Sequence, residues 1–171
     1  MFDNLSEDTN PSLIKFEQML KTNQVLFFDA LEFENIIHHY IDFAQFNLAK
    51  KAIKMGMEQH PENVELMLLK SELFLVDGSF NEAENMLNDI ERISPEHEEI
   101  FLQRANIFSK KKNHPKAIEF LEKALNVSEE PTEIWNLLGM EFLFQEDYIQ
   151  AKKYFHKCVN ENTHDYQSLY N

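Results

Sequence analysis

The chain has 171 residues, 43% of them hydrophobic and 27% charged, so it is long enough and apolar enough to bury one ordinary core. Its 30 acidic and 16 basic residues leave a formal net charge of -14, which repels phosphate backbones and anionic bilayers alike. We therefore expect no nucleic acid and no membrane as partners. Only 3 Gly and 5 Pro are too few for the many turns of an all-β sandwich, and the composition predicts an all-α fold.

The N-terminal residues 1–10 are acidic and polar, and they lack the positive start and apolar stretch of a secretory signal. No run in the chain approaches the roughly 20 apolar residues that span a bilayer. The single cysteine, Cys158, cannot form an internal disulfide, which fits a reducing compartment. These features predict a cytoplasmic protein.

The segment Pro11 to Asn23 carries Leu13, Phe16, Met19 and Leu20 at helical spacing. We expect residues 1–29 to form a tail and a helix that caps the start of a repeat array. The helix pairs that follow are predicted near 31–43 with 46–59, 62–76 with 80–93, 96–111 with 114–127, and 131–144 with 148–161.

A period of 34 residues organises this part of the chain, because Ala49, Ala83, Ala117 and Ala151 follow one another at that spacing. When each repeat is numbered so that this alanine is position 20, large side chains recur at positions 4 and 11, and small ones at position 8 in three repeats of four. Close packing of two antiparallel helices needs small residues at their contact. We therefore predict repeats at 30–63, 64–97, 98–131 and 132–165, and the start of a truncated fifth repeat at 166–171, as in a piece of a longer repeat protein.

The residues Trp135, Leu138-Gly139, Phe142, Ala151 and Phe155 resemble the signature of the tetratricopeptide repeat, here in a bacterial-type array. The resemblance implies a right-handed α-solenoid of four helix-turn-helix repeats with an N-terminal capping helix. It also implies that the first helices of the repeats line a concave groove that binds another protein. Carried over position by position, the groove residues are Glu34, His38, Asp42, Glu65, Leu68, Leu69, Glu72, Glu99, Gln103, Asn106, Lys110, Glu133, Asn136 and Met140.

This predicted groove is acidic with apolar patches, so a peptide with apolar anchors and some basic residues would complement it. The lysines, asparagine and arginine with which co-chaperone members of the family grip a C-terminal carboxylate are absent from these positions. We therefore predict no carboxylate clamp. An equally simple interpretation of each apolar groove residue is that it packs between repeats.

The sequence contains none of the common catalytic motifs. The three glycines are isolated, so no glycine-rich phosphate loop can form, and neither an HExxH helix nor a GxSxG elbow occurs. Glu34, His38 and Asp42 share one helical face and could offer a metal three ligands, but solvation of that face is the commoner outcome. We predict no enzyme, no cofactor and no metal site. The leading function is an adaptor; the alternatives are self-association through the ends of the array, or an auxiliary arm of a larger protein.

Overall fold

The computed structural model describes residues 11–22 and 24–168, with side chains as far as Asn160. Within these ranges the regular structure is α-helical without any strand, which confirms the predicted all-α class. The helices are α1 Pro11–Thr22, α2 Ala30–Asp42, α3 Phe46–Gln59, α4 Val64–Val76, α5 Phe80–Ile93, α6 Glu98–Lys110, α7 His114–Val127, α8 Thr132–Phe144 and α9 Tyr148–Ser168. They form two compact units, an N-terminal unit that ends at Asp77 and a C-terminal unit that begins at Gly78.

The predicted helices are all found, and α3, α5 and α7 have the predicted bounds. The largest difference concerns α9, which continues to Ser168 beyond its predicted end near residue 161. Residues 166–168, predicted to begin a further repeat, therefore continue this helix. Residues 169–171, also assigned to the fifth repeat, lie outside the described residues, and the repeat boundaries remain predictions.

The 34-residue period is visible in the backbone of the turns. Ala44, Gly78, Lys112 and Glu146 follow one another at that spacing, and their φ angles are 54°, 75°, 57° and 62°. This left-handed conformation suits glycine and strains residues that have a Cβ. Only one of the four positions carries glycine, so the other three keep the turn at a local cost.

Hydrogen bonds at the ends of α2, α6 and α8 explain why this strained conformation recurs. The amides of Gln45, Asn113 and Asp147 donate to carbonyl oxygens five residues earlier, at 2.7, 2.8 and 2.9 Å. This is the Schellman pattern, in which a left-handed residue lets the last carbonyls of a helix find donors. The side chains of Asn113 and Asp147 then accept bonds from the first turn of the next helix, so one short turn ends one helix and begins another.

The core of the N-terminal unit is built around Phe16 of α1. This ring is fully buried and lies 5.9 Å from Phe28, 6.4 Å from Phe33 and 6.1 Å from Tyr40, measured between ring centroids. Burial of one such side chain stabilises a fold by about 2–3 kcal/mol. The contacts explain why α1 packs against α2.

The C-terminal unit shows why the repeat needs small residues. Gly139 of α8 lies against the Phe155 ring of α9, so close that an added Cβ would be 2.6 Å from the nearest ring atom. The recurrent alanines Ala83, Ala117 and Ala151 are also buried. Small side chains thus let aromatic rings fill the space between paired helices, as the sequence pattern predicts.

Buried charge also holds this unit together. Arg104 of α6 is 6% exposed, and its guanidinium donates to both carboxylate oxygens of Glu91 on α5 at 3.0 and 2.8 Å and to Asn88 Oδ1 at 2.7 Å. Two parallel bonds to one carboxylate are the strongest arrangement open to arginine. Glu91 raises the pKa of Arg104, and Arg104 lowers the pKa of Glu91, so both stay charged.

A second polar cluster joins three helices. Glu141 of α8 is 6% exposed and accepts hydrogen bonds from Ser109 of α6 at 2.6 Å and from His114 of α7 at 2.8 Å. The His114 ring in turn stacks on Phe144, with centroids 5.3 Å apart. A buried carboxylate without such donors would be costly, so these contacts fix how α8 packs on α6 and α7.

Candidate functional site

The first helices of the N-terminal unit present one continuous charged surface. Glu34, His38 and Asp42 follow one another four residues apart along α2, and Glu65 and Glu72 are seven apart along α4, which packs on α2. His38, Asp42 and Glu65 are exposed, whereas Glu34 and Glu72 are half-buried. We call these five residues the acidic face; all belong to the predicted groove.

The electrostatics of the acidic face show that its charges act on one another. Burial raises the pKa of Glu72, with a further increase from Asp42, while His38 lowers it. Burial also raises the pKa of Glu34, the negative charge of Glu65 adds to this, and His38 opposes it. The sequence predicted ordinary solvated carboxylates here, and the difference arises because α2 and α4 partly bury them against each other. A cation on this face would therefore be favoured.

Three predicted groove residues are not available to a partner in this structure. Leu68 and Leu69 of α4 are 3% and 6% exposed, and Gln103 of α6 is 5% exposed. Leu69 packs in the core of the N-terminal unit, and Gln103 donates to Glu99 Oε1 at 3.2 Å. These three side chains are buried in packing contacts, so the proposed contact surface leaves them out. For Leu68 and Leu69 the reason is that α4 is apolar at most of its positions.

The C-terminal unit presents its predicted groove residues on α6 and α8. Asn106 and Lys110 are exposed on α6, where Glu99 is half-buried. Glu133, Asn136 and Met140 are exposed along α8, with Met140 at 38%. This surface is mixed polar and apolar and less acidic than the acidic face. It suits recognition by hydrogen bonds and one apolar contact.

The residues considered for metal binding or thiol chemistry do not form such a site in the described part of the chain. Among residues 11–22 and 24–168, no group of three or more His, Cys, Asp and Glu side chains is arranged to hold a metal ion. Cys158 donates weakly to the carbonyl oxygen of Thr132 at 3.4 Å, and burial raises the pKa of its thiol. Raising a thiol pKa lowers the fraction of reactive thiolate.

An apolar surface lies on α8 and α9. The sequence analysis predicted only that the ends of the array could self-associate, without naming residues. Leu143, Tyr148, Phe155 and Val159 border an open cavity of about 350 Å³, and we call them the terminal apolar face. Tyr148 is 64% exposed and Val159 57%. Exposed apolar side chains gathered in one place mark an interaction surface more often than scattered ones do.

The repeat period explains the terminal apolar face. Leu143 and Tyr148 stand 34 residues after Ser109 and His114, the two residues that α8 covers through Glu141. The same surface of the preceding repeat is thus packed against a helix. By analogy, the terminal apolar face has the form of a helix-docking surface.

Comparison with protein families identifies a known repeat in the C-terminal unit. The model of the tetratricopeptide repeat matches residues 98–131 and 132–164. No curated protein matches the chain. For the part that the structure describes, no helix is both long enough and apolar enough to cross a membrane.

Solved structures show the same fold. A thermophilic tetratricopeptide repeat protein from Thermus thermophilus is similar at a TM-score of 0.72 and 20% identity, over 86% of this chain and 80% of that one. A crystal structure of MamA is similar at a TM-score of 0.68 and 15% identity, over 91% of this chain and 89% of that one. MamA from Desulfovibrio magneticus RS-1, residue 41 to the end, has a TM-score of 0.67 and 15% identity over 90% and 85%. These similarities, with the repeat pattern, place the chain in the all-α solenoid class.

Proposed function

The chain is a tetratricopeptide repeat protein, and from this premise we propose that it is an adaptor whose acidic face binds a basic, apolar segment of a partner protein. Repeats of this family generally serve as protein-interaction scaffolds. The observation that carries the finer proposal is the pair of half-buried carboxylates, Glu34 and Glu72, whose pKa values are raised where they lie. A lysine or arginine from a partner would stabilise their charged forms.

The N-terminal unit also exposes an apolar side chain that a partner could contact. Leu31, at the start of α2 in the same unit as the acidic face, is 64% exposed. An extended or helical segment with alternating basic and apolar side chains would match charges and apolar surface together. We further propose that the protein is non-catalytic and cytoplasmic, with the half-buried Cys158 thiol kept reduced and unreactive.

A charge-matched pair of peptides tests the acidic face. We would titrate the protein with the acetylated basic peptide KLWKRL and its acidic counterpart ELWEDL and follow backbone amide shifts by NMR. The proposal expects the basic peptide to shift amides of α2 and α4 around Glu34, Asp42 and Glu72. It also expects binding to weaken as ionic strength rises from roughly 0.05 to 0.5 M.

Variants separate the acidic face from the general negative charge of the molecule. Glu34→Lys plus Asp42→Lys should abolish the shifts on α2 and α4. The control Glu129→Lys plus Glu130→Lys changes the net charge equally at exposed loop positions, and should bind like wild type. Equal weakening in both variants would mean that the basic peptide senses only net charge, and would refute a specific face.

The terminal apolar face favours a second candidate function, self-association. The supporting observations are its exposed Tyr148 and Val159 side chains and its correspondence to a helix-covered surface in the preceding repeat. Light scattering over a range of concentrations tests it: Tyr148→Asn plus Val159→Asn, at positions 64% and 57% exposed, should give a monomer. The control Val25→Asn plus Ile93→Asn, at positions 85% and 52% exposed, should assemble like wild type. A wild-type protein that stays monomeric at every concentration removes this candidate.

A further inference from the structure

A cavity of about 440 Å³ lies between α3 and α4, entirely within the N-terminal unit. Its floor is apolar and includes Ile53, Met57, Leu73 and Phe74. Ile53 and Leu73 are 3% and 4% exposed, so the floor belongs to the core. Clefts of roughly 300–1,000 Å³ with mainly apolar walls are the usual form of binding sites. This one has room for two apolar side chains.

The rim of the cavity carries lysines, in a chain where acidic residues predominate. Lys50 pairs with Asp77 at 2.6 Å and so closes one end of the cavity. Lys54 lies one helical turn beyond Lys50 on α3, and Lys70 lies seven residues before Asp77 on α4. Because α3 and α4 run antiparallel, both lysines lie on the same side of the ion pair, about 6 and about 10 Å along the helices.

Lys54 and Lys70 have no ion-pair partner in the part of the chain that the structure describes, although Lys70 lies 6.0 Å from the centroid of the Phe74 ring. The remaining charge on the rim is Glu58, one turn beyond Lys54 on α3. The middle of the cavity therefore has an apolar floor below two unneutralised ammonium groups. Its ligand needs apolar groups and negative charge together.

We propose that this lysine-rimmed cavity binds an acidic peptide segment of a partner protein. Two apolar side chains of the peptide occupy the cavity, and its carboxylates pair with Lys54 and Lys70. The site is separate from the acidic face, because Lys70 is five residues, or about 140° of helical rotation, from Glu65 on α4. The N-terminal unit thus offers opposite charges on two sides of the same helix, and an acidic and a basic segment can bind without competing.

The acidic peptide ELWEDL tests this proposal independently of the basic one. In an amide NMR titration, it should shift residues of α3 and α4 that line the cavity, around Ile53, Lys54 and Phe74. Lys54→Glu plus Lys70→Glu should weaken its binding about tenfold, because both paired charges become repulsive. Far-ultraviolet circular dichroism would check that this variant retains its helices.

A matched control is the double variant Lys21→Glu plus Lys51→Glu, which changes the charge equally at exposed positions of the same unit that do not line the cavity. It should bind ELWEDL like wild type. The proposal is overturned if the peptide shifts no cavity residue or if both variants weaken peptide binding equally. It is also overturned if octanoate, a small apolar carboxylate, shifts the cavity residues while the peptide does not. A negative result for the cavity would not affect the proposal for the acidic face, because binding to that face is measured with KLWKRL through the amide shifts of α2.

Discussion

Replacing Gly139 by alanine tests whether small residues set the spacing of the paired helices. The added Cβ would lie 2.6 to 2.8 Å from three atoms of the Phe155 ring. Optimal carbon–carbon contacts are about 3.5–4.0 Å, so the ring must move outward and lose part of its burial. Such overpacking costs about 1–3 kcal/mol, against about 1 kcal/mol gained from the higher helix propensity of alanine. We expect a net loss of up to about 2 kcal/mol in the free energy of unfolding.

Gly56 supplies the matched control, because it is also a buried glycine within a helix. Its Cβ would lie 3.2 Å from Leu66 Cδ1 and from Phe33 Cγ, a conflict that shifts of a few tenths of an ångström relieve. The propensity gain then offsets most of the steric cost, and Gly56→Ala should change the free energy of unfolding by less than about 0.5 kcal/mol. The two substitutions are chemically identical, so their difference reports the packing alone.

Urea unfolding of both variants measures these free energies. A double-mutant cycle with Phe155→Leu completes the test, because removal of the ring should make Gly139→Ala much less costly. If Gly139→Ala were as stable as Gly56→Ala, or if its cost persisted without the Phe155 ring, the reasoning from close helix packing would be refuted.

Three further predictions concern single residues. Glu146→Gly should raise the free energy of unfolding in urea by about 0.5–1 kcal/mol, since the residue holds a φ of 62°; a loss would mean that the turn is not strained. Glu141→Ala should lower it by about 3 kcal/mol, because Ser109 and His114 lose their buried acceptor, and a cost below about 1 kcal/mol would contradict this. Glu72→Gln tests the raised pKa of the Glu72 carboxyl group. The stability that this group contributes falls as the pH rises from its unfolded pKa to its higher folded pKa, so the variant should be more stable than wild type at neutral pH but not near pH 4. An equal change in the free energy of unfolding at both pH values would refute this prediction.

The helices could be predicted from the sequence because the 34-residue period repeats both large and small side chains. The alanine at position 20 and the large residues at positions 4 and 11 locate each pair, and the structure has the pairs where the period puts them. Among the four left-handed turn positions, only Gly78 carries a residue type that favours this conformation. Ala44, Lys112 and Glu146 carry no such signal alone, although the period itself points to them.

The candidate site was predicted less completely. A repeat position tells which way a residue points on an average helix, but Leu68 and Leu69 lie on a helix in which seven of the thirteen residues are buried. That signal was present, since α4 is apolar at most of its positions. Arg104 and Glu141 were missed for a different reason. A charged residue in a helix looks solvated until its partners, here on other helices, are known.

Capture from a cell lysate, followed by quantitative mass spectrometry, tests whether the acidic face binds a partner protein. Wild type, Glu34→Lys plus Asp42→Lys, and the control Glu129→Lys plus Glu130→Lys would be immobilised side by side. We expect wild type and the control to retain a protein that the acidic-face variant loses. That protein should contain a segment rich in basic and apolar residues. If all three retain the same proteins, or if the two variants lose them equally, the acidic face is not the binding site.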